Sequence, residues 1–493
     1  MFHDGMGFFQ RNREAVLAAA LTGIACCYLG LCAVNVFLAL LLLAACVPAY
    51  AFYKNVDASF MLYIILLPFS MVPFFNGLPF GITGTRLQFV LLLVFILQFV
   101  LFKKPYRTGA VFNLFFILLL AIYIIAWARS TNYALQVFSS NLAGELSVFR
   151  YLIDYVSATF LAFIPLLAIS YYIRDEKGID RIVKTIAISI VLLVGYMIFV
   201  YIFRIGNKGD FEYIRAEFGK YVGLHGNDIA NFFILTFPVI LAWTLSKKRL
   251  FSLLTLLAIL AGTLLCFSRT AYFLIIFAIF LYPVLAGKIR WVPVIALAAG
   301  LALIFLLPDM FVDRAVTGLN SGNSDELSAG RIEYIWGPLV NELENSPPAV
   351  VLFGSGRYGI LNTAAWRQAR ITQVTHAHNM YLDGILDVGL IGLLAFLAFF
   401  GAVLLHFARN AKKYKMQLPY YANLLNGCIV SVLCYLLSGL SGRTFFPCVA
   451  NIYLWMIIGL GIAICGYVRE QGAGGIRTVP LIRPEKADPI DSQ

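Results

Sequence analysis

Apolar runs of about 20 residues, the length a helix needs to cross hydrocarbon, recur along nearly the whole chain. Backbone N–H and C=O groups placed in lipid must pair internally, and runs of this length do so as helices rather than barrel strands. Composition agrees: 61% of the residues are hydrophobic and 13% charged. A soluble fold carries roughly 45–50% apolar and about 25% charged residues and could not hide this much apolar surface. Fourteen candidate spans are read, at 15–31, 33–53, 58–75, 87–102, 110–127, 156–173, 185–203, 229–245, 250–267, 271–286, 292–307, 380–407, 421–440 and 445–467. The fold class expected is an all-α polytopic membrane protein of about 12–14 transmembrane helices.

Charge orients these spans. With the N-terminus inside, 23 of the 37 basic residues fall on inner loops and tails, among them Lys247–Arg249, Lys288, Arg290, Arg409 and Lys412. That excess sets both termini in the cytoplasm by the positive-inside rule. Of the 14 outer basic residues, 12 are arginine, leaving only Lys208 and Lys220. Arginine forks onto phosphate oxygens in pairs, so the outer bias points to a phosphate ligand, or else to scattered surface arginines. The net charge of +12 raises the question of nucleic acid, but no contiguous basic domain exists, and the charge matches orientation signals beside membrane lipids. The nine cysteines lie in apolar stretches without metal-type spacing and read as small core residues. Arg11 and Arg13 precede an apolar run without a clear cleavage site, so that run reads as the first span.

One outer segment, 308–379, is far longer than the rest, and loops of that size usually carry function. The domain layout is therefore 1–307, an N-terminal bundle; 308–379, a large, partly helical extracytoplasmic loop; 380–467, C-terminal membrane helices; and 468–493, a flexible cytoplasmic tail. Within the loop, apolar spacing predicts a helix over Leu327–Glu344, stopped by Pro347 and Pro348. A tight turn is expected at Phe353–Gly356, and a second short helix over Thr363–Ile371.

Three residues stand out. Arg269 lies midway between two inner basic clusters, so Leu250–Gly287 crosses out and back with Ser268–Thr270 at its outer tip. An arginine held at the apolar edge is a functional candidate, or one that snorkels to headgroups. Arg331 opens the outer helix, where free N–H groups and the helix dipole favour anions; a solvated surface residue is the plainer reading. His378 stands where the loop re-enters the membrane, and nearby arginines would keep it neutral and able to take a proton. A lone interfacial histidine is otherwise structural. His376 and His378 are two apart and would not share a helix face, which argues against a zinc pair. Glu342 and Glu344 are likewise expected to point to different sides, and no Asp-x-Asp motif is present.

The ordered run Gly330-Arg331, Trp336-Gly337-Pro338, Phe353-Gly354-Ser355-Gly356, His378-Asn379-Met380-Tyr381-Leu382 and Gly389-Leu390-Ile391-Gly392, with Ser268-Arg269 upstream, resembles the O-antigen ligase and O-antigen polymerase superfamily. The resemblance implies a C-type glycosyltransferase architecture in the bacterial inner membrane. It implies a metal-independent, inverting enzyme without cofactor, its active site facing the periplasm. The donor would be an undecaprenyl-diphosphate-linked glycan and the acceptor a glycan or lipid A core, with polysaccharide export or chain-length proteins as partners. By that analogy Arg269 and Arg331 hold the diphosphate, and His378 activates or orients the acceptor hydroxyl. Asn379 would fix the loop, with Arg215, His225, His376 and Tyr381 as further substrate contacts. The chain departs from the ligases in having extra spans, which favours a polymerase of O-antigen or exopolysaccharide repeats over a ligase. A transporter or flippase for lipid-linked sugars is a reading of another class, but it expects charged span interiors and repeated halves. A non-catalytic scaffold in an envelope-polymer complex is the third.

Overall fold

The computed structural model describes residues 56–73, 110–141, 151–288, 330–368, 371, 374–442 and 445–473. The spans expected at 15–31, 33–53, 87–102 and 292–307 lie outside the described residues, as do loop residues 308–329 and the tail after 473. All regular structure among the described residues is helical. The helices are α1 (Val56–Leu66), α2 (Ala110–Asn141), α3 (Ile164–Tyr172), α4 (Glu176–Phe203), α5 (Phe211–Val222), α6 (Gly226–Lys247), α7 (Leu250–Leu265), α8 (Arg269–Leu285), α9 (Gly337–Glu344), α10 (Pro348–Phe353), α11 (Met380–Tyr414), α12 (Pro419–Ser438) and α13 (Ile452–Ala473). Six described helices are long and apolar enough to span a membrane: α2, α4, α6, α11, α12 and the helix ending at α13.

The ends of these helices follow from local chemistry. Helix α4 begins nine residues before the expected span because the Asp175 side chain caps it, accepting from the Gly178 N–H at 3.0 Å. Its charged first turns lie outside the apolar run but continue the same helix. Helix α11 runs on to Tyr414, placing Lys412 and Lys413 at its C-terminal end, where the helix dipole favours cations. The last span starts late. Pro447 and the extended Cys448 hold the chain out of a helix, and the Asn451 side chain accepts from the Cys448 N–H at 2.9 Å. The 156–173 span is broken into a π turn (Leu152–Val156), a short helix (Ser157–Leu161) and α3, with Pro165 opening the last piece.

Helices α6, α12 and α13 form the centre, buried on nearly every side. Small residues let them approach. A Cβ on Gly427 of α12 would lie 2.8 Å from the Pro238 carbonyl of α6, and one on Gly459 of α13 would lie 2.9 Å from the Leu166 carbonyl of α3. The outward faces of α2, α4 and α7 carry exposed Ile117, Ile124, Phe199, Phe203, Leu254 and Leu257, a surface suited to lipid tails.

Helix α11 is interrupted. Gly389 has φ +71° and ψ −179°, so the helix breaks about one-quarter of the way along, and the carbonyls before the break lose their helical partners. The turn after α10 takes them over: the Ser355 and Gly356 N–H groups donate to Leu386 O at 2.8 Å and Asp387 O at 2.9 Å. The contact is too close for a side chain on either segment. A Cβ on Gly389 would lie 2.2 Å from Leu352 O, and one on Gly354 would lie 2.5 Å from the Asp387 carbonyl carbon. The loop is thereby docked onto the membrane bundle, and this docking positions the site.

Candidate functional site

Three separate pieces of chain meet beside residues 438–442, the segment that follows α12. The first is the α7–α8 hairpin tip. Phe267 turns there with φ +48°, Ser268 is extended, and Arg269 opens α8. The Tyr272 hydroxyl ties the hairpin across to Leu264 O at 3.1 Å, and Thr270 Oγ1 lies 2.8 Å from Ser441 Oγ. The second is the loop helix. Gly330 takes φ +78°, Arg331 follows, and a π turn (Ile332–Trp336) leads into α9. Arg331 Nη1 donates to Ser441 O at 3.1 Å. Ser441 therefore joins the hairpin tip to the loop helix.

The third piece carries His378, and its backbone is clamped on both sides. The Ala377 N–H donates to Asp383 Oδ1 at 2.7 Å, and Ala377 O accepts from Trp336 Nε1 at 2.8 Å. Asn379 caps α11, its side chain accepting from the Tyr381 and Leu382 N–H groups, while the Met380 N–H donates to Gly439 O at 2.7 Å. His378 itself is held at φ +53°, a conformation costly for a side chain other than glycine. The π turn that follows Arg331 thus supplies the tryptophan that fixes the residue before His378.

Arg215 completes the cationic side. Helix α5 is capped by Asp210 and ends at Gly223, whose φ of +79° and contact with Met71 O exclude a side chain. Arg215 on α5 is buried, its Nη1 donating to Glu212 at 2.9 Å and its Nη2 lying 3.5 Å from His225 Nε2. It crosses over Gly226, where a Cβ would lie 2.9 Å from Cys266 O at the hairpin tip. Burial, then the charges of Arg269 and of Arg215, push the Arg331 pKa down from its ordinary value. Guanidinium groups nonetheless stay charged. Arg269 and Arg331 thus lie within electrostatic reach of each other and of Arg215, which is already paired with Glu212, in a region partly shielded from water.

The structure corrects one argument from spacing. His376 and His378 are not on a helix, so the two-residue interval does not separate them: their rings lie 4.1 Å apart, centroid to centroid. Tyr381, expected as a substrate contact, directs its hydroxyl to Leu436 O at 2.6 Å and so ties α11 to α12. His225 is exposed and its Nδ1 accepts from the Asn227 N–H at the start of α6. Glu342 and Glu344 do diverge: the Glu342 carboxylate accepts from the Ala364 and Ala365 N–H groups at 2.6 and 3.0 Å, capping the short helix Ala364–Arg367, while Glu344 is exposed. That helix is shorter than the Thr363–Ile371 expected, and the second of the two prolines, Pro348, not only ends the preceding run but opens a further helix, α10.

Sequence reasoning also missed the Arg357–Asp387 pair. Arg357 Nη1 meets Asp387 Oδ2 at 2.8 Å, and Asp387 Oδ1 accepts from the Gly359 N–H at 2.7 Å. The signal was available, since Asp383 and Asp387 sit one helical turn apart inside an apolar span, where an acid needs a partner.

Residues 253–397 match the sequence family described as O-antigen ligase, from the first turn of α7 to the apolar stretch of α11 that follows the break. No curated protein matches the chain.

Proposed function

From a chain that carries a domain of the O-antigen ligase/polymerase superfamily, and is thus a membrane protein of glycan processing, we infer an enzyme that transfers glycan from an undecaprenyl-diphosphate carrier to an acceptor hydroxyl. The observation that supports this reading is that Arg331, within electrostatic reach of Arg269 and Arg215, is bonded to Ser441 O in the segment whose Gly439 carbonyl holds Met380, two residues after His378. The arginines hold the diphosphate and stabilise the charge that builds on it as it departs. A bond forms between the acceptor oxygen and the anomeric carbon. The bond from that carbon to the diphosphate oxygen breaks, and its electron pair leaves with the carrier. His378 receives the hydroxyl proton, or aligns the hydroxyl while solvent receives it. Side chains balance the charge in place of a metal, and a single displacement, with the acceptor attacking opposite the departing diphosphate, inverts the anomeric centre. The active site faces the periplasm of the inner membrane. Extra spans favour a polymerase of O-antigen or exopolysaccharide repeats; a ligase acting on lipid A core is the alternative.

The experiment is transfer by purified protein in nanodiscs, with and without excess EDTA, for the wild type and for Arg269→Ala, Arg331→Ala and His378→Ala. Each variant is expected to lose about 100-fold or more in kcat at unchanged protein level, as for the loss of a transition-state donor. EDTA is expected to have no effect. Wild-type rates in all three variants would reject the assignment, and transport of lipid-linked sugar without transfer would replace it with a flippase.

A further inference from the structure

Arg331 and Trp336 stand at the two ends of one turn of the loop. At about 3.6 residues per turn, side chains five apart point to nearly opposite sides of an α-helix, whereas a turn closed from i to i+5 brings them toward the same side. The loop uses the second kind: the Gly337 N–H donates to Ile332 O, five residues back. Arg331 Nη1 reaches Ser441 O at 3.1 Å, and Trp336 Nε1 reaches Ala377 O at 2.8 Å. We propose that Trp336 is a positioning residue for transfer, its indole N–H holding His378 in the left-handed conformation from which the imidazole acts on the acceptor hydroxyl. The inference rests on the transferase reading above and adds a residue which that reading does not use.

The hold is exerted through the backbone. The Ala377 carbonyl accepts from the indole, and the Ala377 N–H donates to the buried Asp383 carboxylate at 2.7 Å, so the peptide groups on both sides of Ala377 are fixed. Further on, the Met380 N–H donates to Gly439 O at 2.7 Å, which fixes the peptide after Asn379. Only the peptide between His378 and Asn379 lies between these anchors, and His378 takes up the turn with φ +53°. Glycine enters that region at no steric cost, whereas a side chain is held there only when its surroundings impose it. Such a conformation is expected where one side chain is needed in one fixed place. Ala377 is fully buried, so removing the indole N–H leaves its carbonyl short of a donor and frees the backbone that leads into His378.

Trp336 also closes a ring of contacts. Segment 439–441 accepts from Arg331 at Ser441 and from Met380 at Gly439, and Trp336 joins the loop turn back to Ala377. The residue that grips the carrier and the histidine that meets the acceptor therefore share one frame. Loss of the indole bond is felt in the rate of transfer rather than in carrier affinity, because Arg331 keeps its own bond to Ser441 while His378 loses a constraint. A displacement of about 1 Å can cost on the order of 100-fold in rate.

The test uses the full chain in nanodiscs and Trp336→Phe, which keeps an aromatic ring and removes the N–H. Three quantities are measured: kcat for transfer, Kd for undecaprenyl diphosphate alone, and the melting temperature. Each is read with His378 present and in His378→Ala and His378→Gly. With His378 present, Trp336→Phe is expected to lower kcat about tenfold or more while the carrier Kd stays within about twofold of wild type. In His378→Ala the same change is expected to lower the residual rate by less than about twofold, since the group it positions is gone. His378→Gly is expected to melt above His378→Ala, and that gap to narrow once Trp336→Phe releases the backbone. A kcat for Trp336→Phe within about twofold of wild type overturns the proposal and leaves the transferase reading standing. An equal fold loss with and without His378, or an unchanged melting gap, overturns it too and makes the indole a general support of the fold. Should Trp336→Phe not accumulate, Asp383→Asn goes through the same cycle. It offers the Ala377 N–H a weaker, neutral acceptor and is expected to lower kcat only where His378 is present; an equal loss in both backgrounds overturns the clamp. A wild type that binds carrier yet transfers nothing removes the enzyme reading and this one with it.

Discussion

At the scale of single residues, the most exacting arrangement is the buried pair Arg357–Asp387. Asp387 is 3% exposed and Arg357 15%, so neither charge has water to fall back on. Removing one partner strands the other, which costs about 3–5 kcal/mol, whereas apolar replacement of both is far milder. Asp387→Ala is therefore expected to melt well below wild type in detergent, and the double variant Arg357→Leu/Asp387→Leu to melt closer to wild type than either single. Equal and additive losses from the two singles would show that the pair is not coupled. This pair marks the limit of what the residues disclose in linear order. Arg269 was legible because its hairpin leaves it no other place than the outer tip. Arg331 and His378 were legible from their company in an ordered run. Arg357 was not, because nothing in its own neighbourhood says that a residue 30 positions later in an apolar helix will be its counter-ion. Likewise the contact of His376 with His378 depends on a left-handed His378, and no spacing rule anticipates that backbone.

At the scale of elements, ten expected spans fall among the described residues; six coincide with helices long and apolar enough to cross a membrane and four with shorter apolar helices, and the boundaries differ where polar chemistry sets them. Capping by Asp175 lengthens α4, and Pro447 with Cys448 shortens the last span. The break in α11 escaped notice because Gly389 sits within an apolar run and looks like an ordinary small helix residue. Its φ of +71°, with Leu352 O only 2.2 Å from where a Cβ would stand, makes any side chain there untenable. Gly389→Ala is expected to cost more than about 3 kcal/mol, combining a forbidden backbone with a backbone clash. The comparison is Gly401→Ala in the same helix, where a Cβ meets nothing within 4 Å. That change is expected to be neutral or to stabilise by up to about 1 kcal/mol, since alanine favours helix. Thermal melting and protease resistance of the two variants check the pair of expectations. If Gly389→Ala behaved like Gly401→Ala, the loop would not be docked through the break.

At the scale of the whole molecule, the site works only if its loop and hairpin tip face the compartment that holds the acceptor. Orientation is carried by charge rather than by packing. The C-terminal end of α11 bears Arg409, Lys412 and Lys413, followed by Lys415, and the positive-inside rule predicts that this end, with Lys247–Arg249 and Lys288, lies inside. The opposite end, expected outside, carries Arg331, which is bonded to Ser441 O rather than solvated in a loop. A membrane-impermeant maleimide separates the two ends. Glu344 and Gln417 are both exposed, one at the end of α9 in the large loop and the other between α11 and α12. In spheroplasts, Glu344→Cys is expected to label at once and Gln417→Cys only after the membrane is permeabilised, each read against the unsubstituted chain. The reverse pattern would turn the arginine cluster toward the cytoplasm. Anion binding there would survive as chemistry, but a carrier whose glycan waits on the outer face could no longer reach it, and a cytoplasmic phosphate ligand would become the better account of the same three cations.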